Sequence, residues 1–221
     1  MLMRRFKKIK YKNVDLVPGY QETEDEYRSL RDSLNLLDGT IKNLSNYEHG
    51  SQIYKNFKRG MQFLNDKASL GMYKNMDIYE DASEMGDQLM RIKGNSKFEA
   101  VGQKYKDVYA SISKSKKCLN TRLSVLRVRI REIKDRIQEI DHLRKRSKNM
   151  RYDLEVILQD GGYNGELRDA EKSEYESHSK STLKSMKHFI EDSEVPGLMR
   201  DVSKEYRNHM EEVVDLLKFL E

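Results

Sequence analysis

The fold is decided by residues 123–140, LSVLRVRIREIKDRIQEI. Apolar side chains recur in this stretch at alternating spacings of three and four residues, which is the period of one face of an α-helix. Because the mean spacing is close to 3.5 residues, the pattern predicts left-handed, coiled-coil-like packing against neighbouring helices. The apolar positions are Leu123, Leu126, Ile130, Ile133, Ile137 and Ile140.

The same period continues on both sides of this stretch, from Phe98 and Val101 to Leu154 and Ile157. We therefore predict one helix from about Ser83 to Leu158, which at 1.5 Å per residue would be about 110 Å long. A compact domain of this size is much narrower than that, so the helix is predicted to form an arm.

Two further helices are predicted to flank it. The first begins at Tyr20, is interrupted at His49-Gly50-Ser51 and resumes from Tyr54 to Ala68, with Gly71–Ala82 as a connection. The third follows the glycine-rich turn at residues 160–165 and bends at Val195-Pro196-Gly197, because proline lacks the backbone donor that a helix needs. The predicted fold is all-α: three long kinked antiparallel helices in a coiled-coil-like bundle. Such a thin bundle buries little surface, so we expect a homodimer burying more than about 2,000 Å².

The composition agrees with long, partly solvated helices. Hydrophobic residues make up 37% and charged residues 36% of the 221 residues, whereas an average globular domain has about 45–50% and 25%. The single cysteine, Cys118, cannot form an intramolecular disulfide, which favours a reducing compartment. No apolar run is long enough to cross a membrane, so no transmembrane segment is predicted.

Charge is unevenly distributed along the chain. Residues 114–151 contain fourteen basic and four acidic side chains, whereas residues 166–221 carry a net negative charge. Arg122, Arg129 and Arg136 recur every seven residues and form one stripe beside the apolar seam. These bases either pair with acids of the third helix or bind an anionic partner, which could be nucleic acid, acidic protein or anionic lipid.

The N-terminal residues 1–19 are basic and end at Pro18-Gly19, so we predict a segment boundary there and a helical domain over residues 20–221. On a helical wheel, apolar and basic side chains of the first ten residues separate onto two sides. This pattern is typical of a helix that lies in a membrane interface, although a disordered basic arm or a mitochondrial targeting signal would have a similar composition.

Nothing in the sequence indicates catalysis. The five histidines show no metal-ligand spacing, and they are interpreted as solvated residues on helix surfaces. Cys118 lies in no nucleophile motif, so we predict no enzyme activity, no cofactor and no metal. Nucleic-acid binding is disfavoured, because no aromatic side chains that could stack on bases interleave the basic residues between Arg122 and Arg151.

Three segments resemble the BAR domain family, of the amphiphysin/Rvs type with an N-terminal amphipathic helix. Residues 144–153, RKRSKNMRYD, are similar to the family's basic run before an Arg-Leu-Asp-Tyr-Asp motif, although only Tyr152 and Asp153 match that motif strictly. Residues 166–176 are similar to the start of the family's third helix, and residues 194–200, EVPGLMR, to its proline kink. No SH3 domain follows, so the chain resembles the short members.

The resemblance implies a homodimer, or a heterodimer with a related chain, shaped as an elongated six-helix crescent. It implies peripheral binding to anionic phospholipid on the cytosolic face of membranes, where the dimer would sense or generate curvature in endocytosis. The alternative is a cytosolic coiled-coil scaffold or tether without lipid binding. The implied membrane-binding residues are Leu2, Phe6 and Ile9 with Arg4, Arg5, Lys7, Lys8 and Lys10 at the N-terminus, Arg144, Lys145, Arg146, Lys148 and Arg151 at the tip, and Lys114, Lys116, Lys117, Arg122 and Arg129 centrally.

Overall fold

The computed structural model describes residues 11–47, 77–92, 96–160 and 165–221. In these ranges every regular element is helical, which confirms the predicted all-α class. A short 3₁₀ turn, Lys218–Leu220, follows the last helix. The helices are α1 (Tyr20–Leu44), α2 (Ile78–Met90), α3 (Ser96–Asp160), α4 (Gly165–Glu191) and α5 (Val195–Leu217).

Several predictions fall outside these ranges. The basic segment before residue 11, the interruption at residues 49–51, the continuation of the first helix to Ala68 and the glycine-rich turn at residues 161–164 are all among them. The predicted membrane-inserting side chains of residues 2–10 therefore stay a prediction. Residues 11–19 are described, and α1 begins directly after Gly19, whose φ of 76° is a conformation that glycine adopts without strain.

The chain divides into two compact units. Unit 1 comprises Met1–Leu36 and Ile130–Pro196, and unit 2 comprises Leu37–Arg129 and Gly197–Glu221. In unit 1, α1 and α4 both run antiparallel to α3. Tyr27 of α1 donates its hydroxyl to the Ile137 carbonyl at 3.0 Å, and the Ser147 and Thr182 hydroxyls of α3 and α4 lie 3.1 Å apart.

In unit 2, α2 packs antiparallel to the first part of α3. Ser83 donates to the Lys106 carbonyl at 3.1 Å and Ser113 donates to the Asp77 carboxylate at 3.0 Å. The α2 and α3 backbones meet at Gly86 and Gly102: a Cβ added at Gly86 would lie 2.6 Å from the Gly102 carbonyl oxygen. Only glycine allows so close an approach, because any side chain would overlap the facing backbone.

The predicted start of the long helix is wrong, and an element is missed there. A separate helix, α2, occupies the last five residues of the predicted connection and overlaps the expected beginning of α3. Asp77 initiates α2 with a capping box, in which its carboxylate accepts from the Tyr79 and Glu80 backbone N–H groups and Glu80 reaches back to the Asp77 N–H. The chain leaves helix at Arg91 and Ile92, and α3 begins at Ser96.

The predicted bend near Pro196 is a complete break. Helix α4 ends at Glu191, Asp192–Glu194 are non-helical, and α5 starts at Val195. Proline lies in the first turn of α5, where its missing N–H leaves no hydrogen bond unmade. The proline therefore begins a helix here and does not kink one.

The predicted seam of α3 is confirmed over its central part. All six apolar side chains of residues 123–140 that define it are buried. The prediction fails at the start of the helix, where Phe98 and Val101 are exposed. Near the C-terminus Val202 is buried, but Met210 and Leu217 are exposed, so the last part of α5 carries apolar side chains that unit 2 does not cover.

The crossing of α2 and α3 gives a test of the packing. We expect Gly86→Ala to destabilise the protein by about 2 kcal/mol or more, because the new methyl group would force the two backbones apart. Gly39→Ala is the control: Gly39 also lies within a helix but has open space around its Cβ position, so alanine should be neutral or stabilising by up to about 1 kcal/mol. Urea unfolding monitored by circular dichroism measures both, and equal effects of the two substitutions would contradict the close approach.

Candidate functional site

The stripe of arginines spaced seven residues apart faces acidic side chains of the chain's last third. Each guanidinium lies 2.9–3.0 Å from a carboxylate oxygen of α5 or of the residues just before it. This confirms the alternative in which the stripe pairs with acids of the third predicted helix. The pairs are Arg122–Glu205, Arg129–Asp201 and Arg136–Glu194.

Pairing also involves the other side of the seam. Arg127 lies 3.3 Å from the Asp38 carboxylate of α1 within unit 2. All of these pairs are partly exposed, so each contributes on the order of 0.2–1 kcal/mol to stability. Together these ion pairs determine which helices lie beside α3. They also make the net charge of this face lower than the α3 sequence suggests.

The three central lysines have different environments. Lys114 is exposed, and Lys117 forms an ion pair with Glu80 of α2. The hydrogen bond with Glu80 raises the pKa of Lys117. Lys116 is fully buried, and its ammonium donates to the Leu44 carbonyl at 2.9 Å and to Asn120 at 2.6 Å. The structure thus places Lys116 inside unit 2 and not on a surface that a membrane could reach.

Arg144, predicted at the basic tip, lies inside unit 1. Its side chain is 10% exposed and forms ion pairs with Glu24 of α1 and Asp141 of α3. Its guanidinium also stacks 5.0 Å from the Tyr27 ring centroid. Burial raises the pKa of the Glu24 carboxyl, but hydrogen bonds from Arg144 and Arg28 outweigh it, and the resulting pKa is below the ordinary value. Arg144 therefore holds α1 and α3 together.

The remaining tip residues do not form one patch. Lys145 and Lys148 are exposed, and Arg146 is an exposed partner of Glu174 at 3.3 Å. Arg151 is turned toward the N-terminal part of the chain, where its Nε and Nη2 donate to the Val14 carbonyl at 3.0 and 2.8 Å. Its guanidinium lies 4.0 Å from the Tyr11 ring centroid, a cation–π contact.

Residues 11–17, here called the strap, lie against the end of α3 in unit 1. The fully buried carboxylate of Glu155 accepts the backbone N–H groups of Lys12, Asn13 and Val14 at 3.0–3.1 Å. Burial raises the pKa of Glu155, but the hydrogen bonds from these residues and from Gln159 lower it more, so the resulting pKa lies below the ordinary value of a glutamate carboxyl. The ionised carboxylate is the form that fits this set of donors.

Apolar and polar contacts beyond Glu155 complete the attachment of the strap. Val14 packs in a core cluster with Leu154 and Tyr175, and the Tyr175 hydroxyl donates to the Asp15 carbonyl at 3.2 Å. Sequence reasoning missed this site. The signal was a glutamate at position 155 inside the otherwise apolar run from Leu154 to Leu158, since a charge in such a run needs a partner.

A serine and a histidine are buried side by side in unit 2, but their hydrogen bonds are not those of a catalytic triad. Ser115 Oγ lies 3.0 Å from His209 Nδ1 and donates to the Glu212 carboxylate at 2.6 Å. A catalytic triad needs the acid on the histidine, whereas here it contacts the serine. Tyr47 occupies the other ring nitrogen at 3.1 Å. His209 is also buried, so the interpretation of all five histidines as solvated is wrong for this one.

Within the described ranges no group of three metal-ligating side chains comes together, and none of the described helices is both long and apolar enough to span a bilayer. No family model matches the chain.

Three curated proteins are similar to this chain over nearly its whole length, and all are named Spore wall protein 12. That of Encephalitozoon cuniculi is 31% identical over 219 residues, which covers 97% of this chain and 92% of the relative. That of Enterocytozoon bieneusi is 27% identical, covering 94% and 91%, and that of Nosema bombycis is 26% identical, covering 96% and 94%. The chain belongs to the spore wall protein 12 family.

This membership corrects the assignment made from the sequence. The relatives are named as spore wall proteins and not as BAR domain proteins, so the BAR family assignment is wrong. The predicted role in membrane curvature and endocytosis, the alternative of a cytosolic scaffold and the predicted cytoplasmic location are overturned by the same finding. The segments that suggested the BAR family are short, and the basic run among them is used partly inside the fold, at Arg144 and Arg151.

The Glu155 contact predicts a pH dependence. Because the folded pKa lies below the ordinary carboxyl value, the stabilisation is fully present above that ordinary value and is lost as pH falls through the folded pKa. We expect Glu155→Gln to cost about 2 kcal/mol near neutral pH and to flatten the acid limb of the stability curve. The control is Glu139→Gln, an exposed glutamate on the same helix. Hydrogen exchange of the Lys12–Val14 amides across pH measures the effect, and fast exchange in the unaltered chain at neutral pH would refute the contact.

Proposed function

We propose that this protein is a non-enzymatic, structural component of the spore wall. The observation that carries the proposal is the naming of its relatives, which share 26–31% identity with it over 91–94% of their own length. Similarity that extends across nearly the whole of both chains supports a shared role more strongly than a match confined to one segment would.

The structure is suited to such a role. Three charged groups in the interior hold separate segments of the described chain together: Lys116 with Leu44, Arg144 with Glu24, and Glu155 with the strap. The described residues that most resemble catalytic groups, Ser115 and His209, are both buried.

The location can be tested directly in spores. With a specific antibody, immunogold electron microscopy of spores from the encoding organism should place label over the wall layers. Preadsorption of the antibody with purified protein is the control for specificity. Label confined to the cytoplasm inside the plasma membrane would disprove the proposed place.

We also propose that two copies of the chain associate through unit 2. Apolar side chains on α5 and the turn after it are exposed, including Val214 at 52% and Phe219 at 67%, and α3 adds Val125 at 58%. Met210, Val214 and Leu217 follow each other at spacings of four and three, so they share one side of α5. Exposure of this row of apolar side chains to water is unfavourable. An interface with two-fold symmetry would bury the row of both copies.

We propose that a second copy of the same chain covers this row. The thin bundle predicted from the sequence led to the same expectation of a homodimer. The elongated six-helix crescent, the heterodimer with a related chain and the affinity for anionic phospholipid stay predictions. Antiparallel helices pack side by side within one unit, and the helices of two copies would pack against each other in the same way.

Size-exclusion chromatography coupled to light scattering tests this association, because it measures the mass of the protein in solution. We expect the unaltered chain to have the mass of a dimer, and the triple variant Val214→Asp, Leu217→Asp, Phe219→Asp to have that of a monomer with unchanged helix content, because three buried carboxylates would oppose the interface. The control is Lys204→Glu with Arg207→Glu, which changes exposed polar positions on the same helix. A monomeric mass for the unaltered chain, or a dimeric mass for the triple aspartate variant, would refute the proposed interface.

A further inference from the structure

Unit 1 contains a cavity of about 400 Å³ between the strap, α1, α3 and α4. This volume lies in the range of sites that hold small ligands. Tyr11, Tyr20 and Tyr175 contribute aromatic surface to its lining. Six basic and two acidic side chains complete the charged part of the wall: Arg28, Arg31, Arg144, Lys145, Lys148 and Arg151, with Glu24 and Asp141.

The acids of the cavity are already engaged. Glu24 lies 2.6 Å from Arg28 and also pairs with Arg144. Asp141 pairs with Arg144 and lies 3.4 Å from Arg31. Arg31 also lies 3.3 Å from Asp32, so three carboxylates face the three guanidinium groups of this cluster and balance their charge.

The other basic residues of the lining give the cavity its excess of positive charge. Arg151 donates from Nε and Nη2 to the neutral carbonyl of Val14, and this contact neutralises none of its charge. Lys145 and Lys148 are exposed and line the same cavity. With these eight side chains and Asp32 all ionised, six bases stand against three acids, which gives three net positive charges. A concave wall concentrates the field of such charges and raises the local concentration of anions.

We propose that this cavity binds a compact, soluble ligand carrying a phosphate ester. Guanidinium groups donate paired N–H groups that match phosphate oxygens, and lysine ammonium groups add point charges at the same anion. A cationic ligand would meet the excess of positive charge, and a neutral one would leave it unbalanced. The tyrosines offer apolar faces to the part of the ligand that bears the ester.

The inference is independent of the proposed place in the spore wall, because it rests only on the cavity within unit 1. Isothermal titration calorimetry of the full chain with glucose 1-phosphate tests it, with inorganic phosphate as the minimal anion and glucose as the neutral comparison. We expect glucose 1-phosphate to bind, inorganic phosphate to compete with it, and glucose to give no heat of binding.

A matched pair of variants locates the site. Lys145→Ala with Lys148→Ala removes two cavity lysines three residues apart, and should weaken binding about tenfold or more. Lys184→Ala with Lys187→Ala removes two exposed lysines of the same spacing from α4 in the same unit, outside the cavity lining; binding should be unchanged. Arg28→Gln provides a second test at a residue that is about half exposed, should the first variant lose helix content.

Three results would overturn the proposal. The first is equal binding of glucose and glucose 1-phosphate, and the second is an equal loss of affinity in the two lysine pairs, which would indicate a general effect of net charge. The third is binding to phosphatidic acid vesicles without binding to the soluble esters, which would indicate that the lipid surface and not a compact ligand is recognised.

Discussion

The packing of both units depends on the apolar seam of α3. The leucines and isoleucines of residues 123–140 are buried because α1 on one side and the later helices on the other cover them within each unit. Burying each such side chain stabilises the fold by about 1.5–3 kcal/mol, several times more than an exposed ion pair does. The arginines beside the seam therefore act mainly on specificity, since each partner acid is available only when a particular helix lies in the correct register.

The seam, the helical class and the alignment of the arginine stripe on one face could be predicted because they repeat, whereas the sequence left open whether that stripe pairs with acids. A period of three and four residues is visible at Leu123 and Ile130 without any tertiary information, and arginines seven residues apart must share a face. The end of the long helix near Leu158 followed from the glycines after it in the same way. Features that recur along one helix are local, and local features can be derived from the sequence.

What could not be predicted depends on single contacts between distant residues. Lys116 looks like a surface lysine in the sequence, and only the Leu44 carbonyl and Asn120 explain its burial. The basic run containing Arg144 suggested a membrane-facing tip for the same reason, because the sequence does not state that Glu24 lies opposite. Helix α2 was missed although Asp77 and Glu80 have the spacing of a capping box, since the apolar period around them is short.

The attachment of the strap has a consequence for how the chain acquires its structure. Glu155 is 141–143 residues away from the amides that it binds, so this contact has one of the largest sequence separations in the protein. Contacts of high separation form late, after local helices and hairpins exist. During synthesis the strap emerges before its acceptor. A chain shortened past Val14 would leave the buried Glu155 carboxylate without the three backbone donors of the strap, and of the described donors the Gln159 amide would still bond to it.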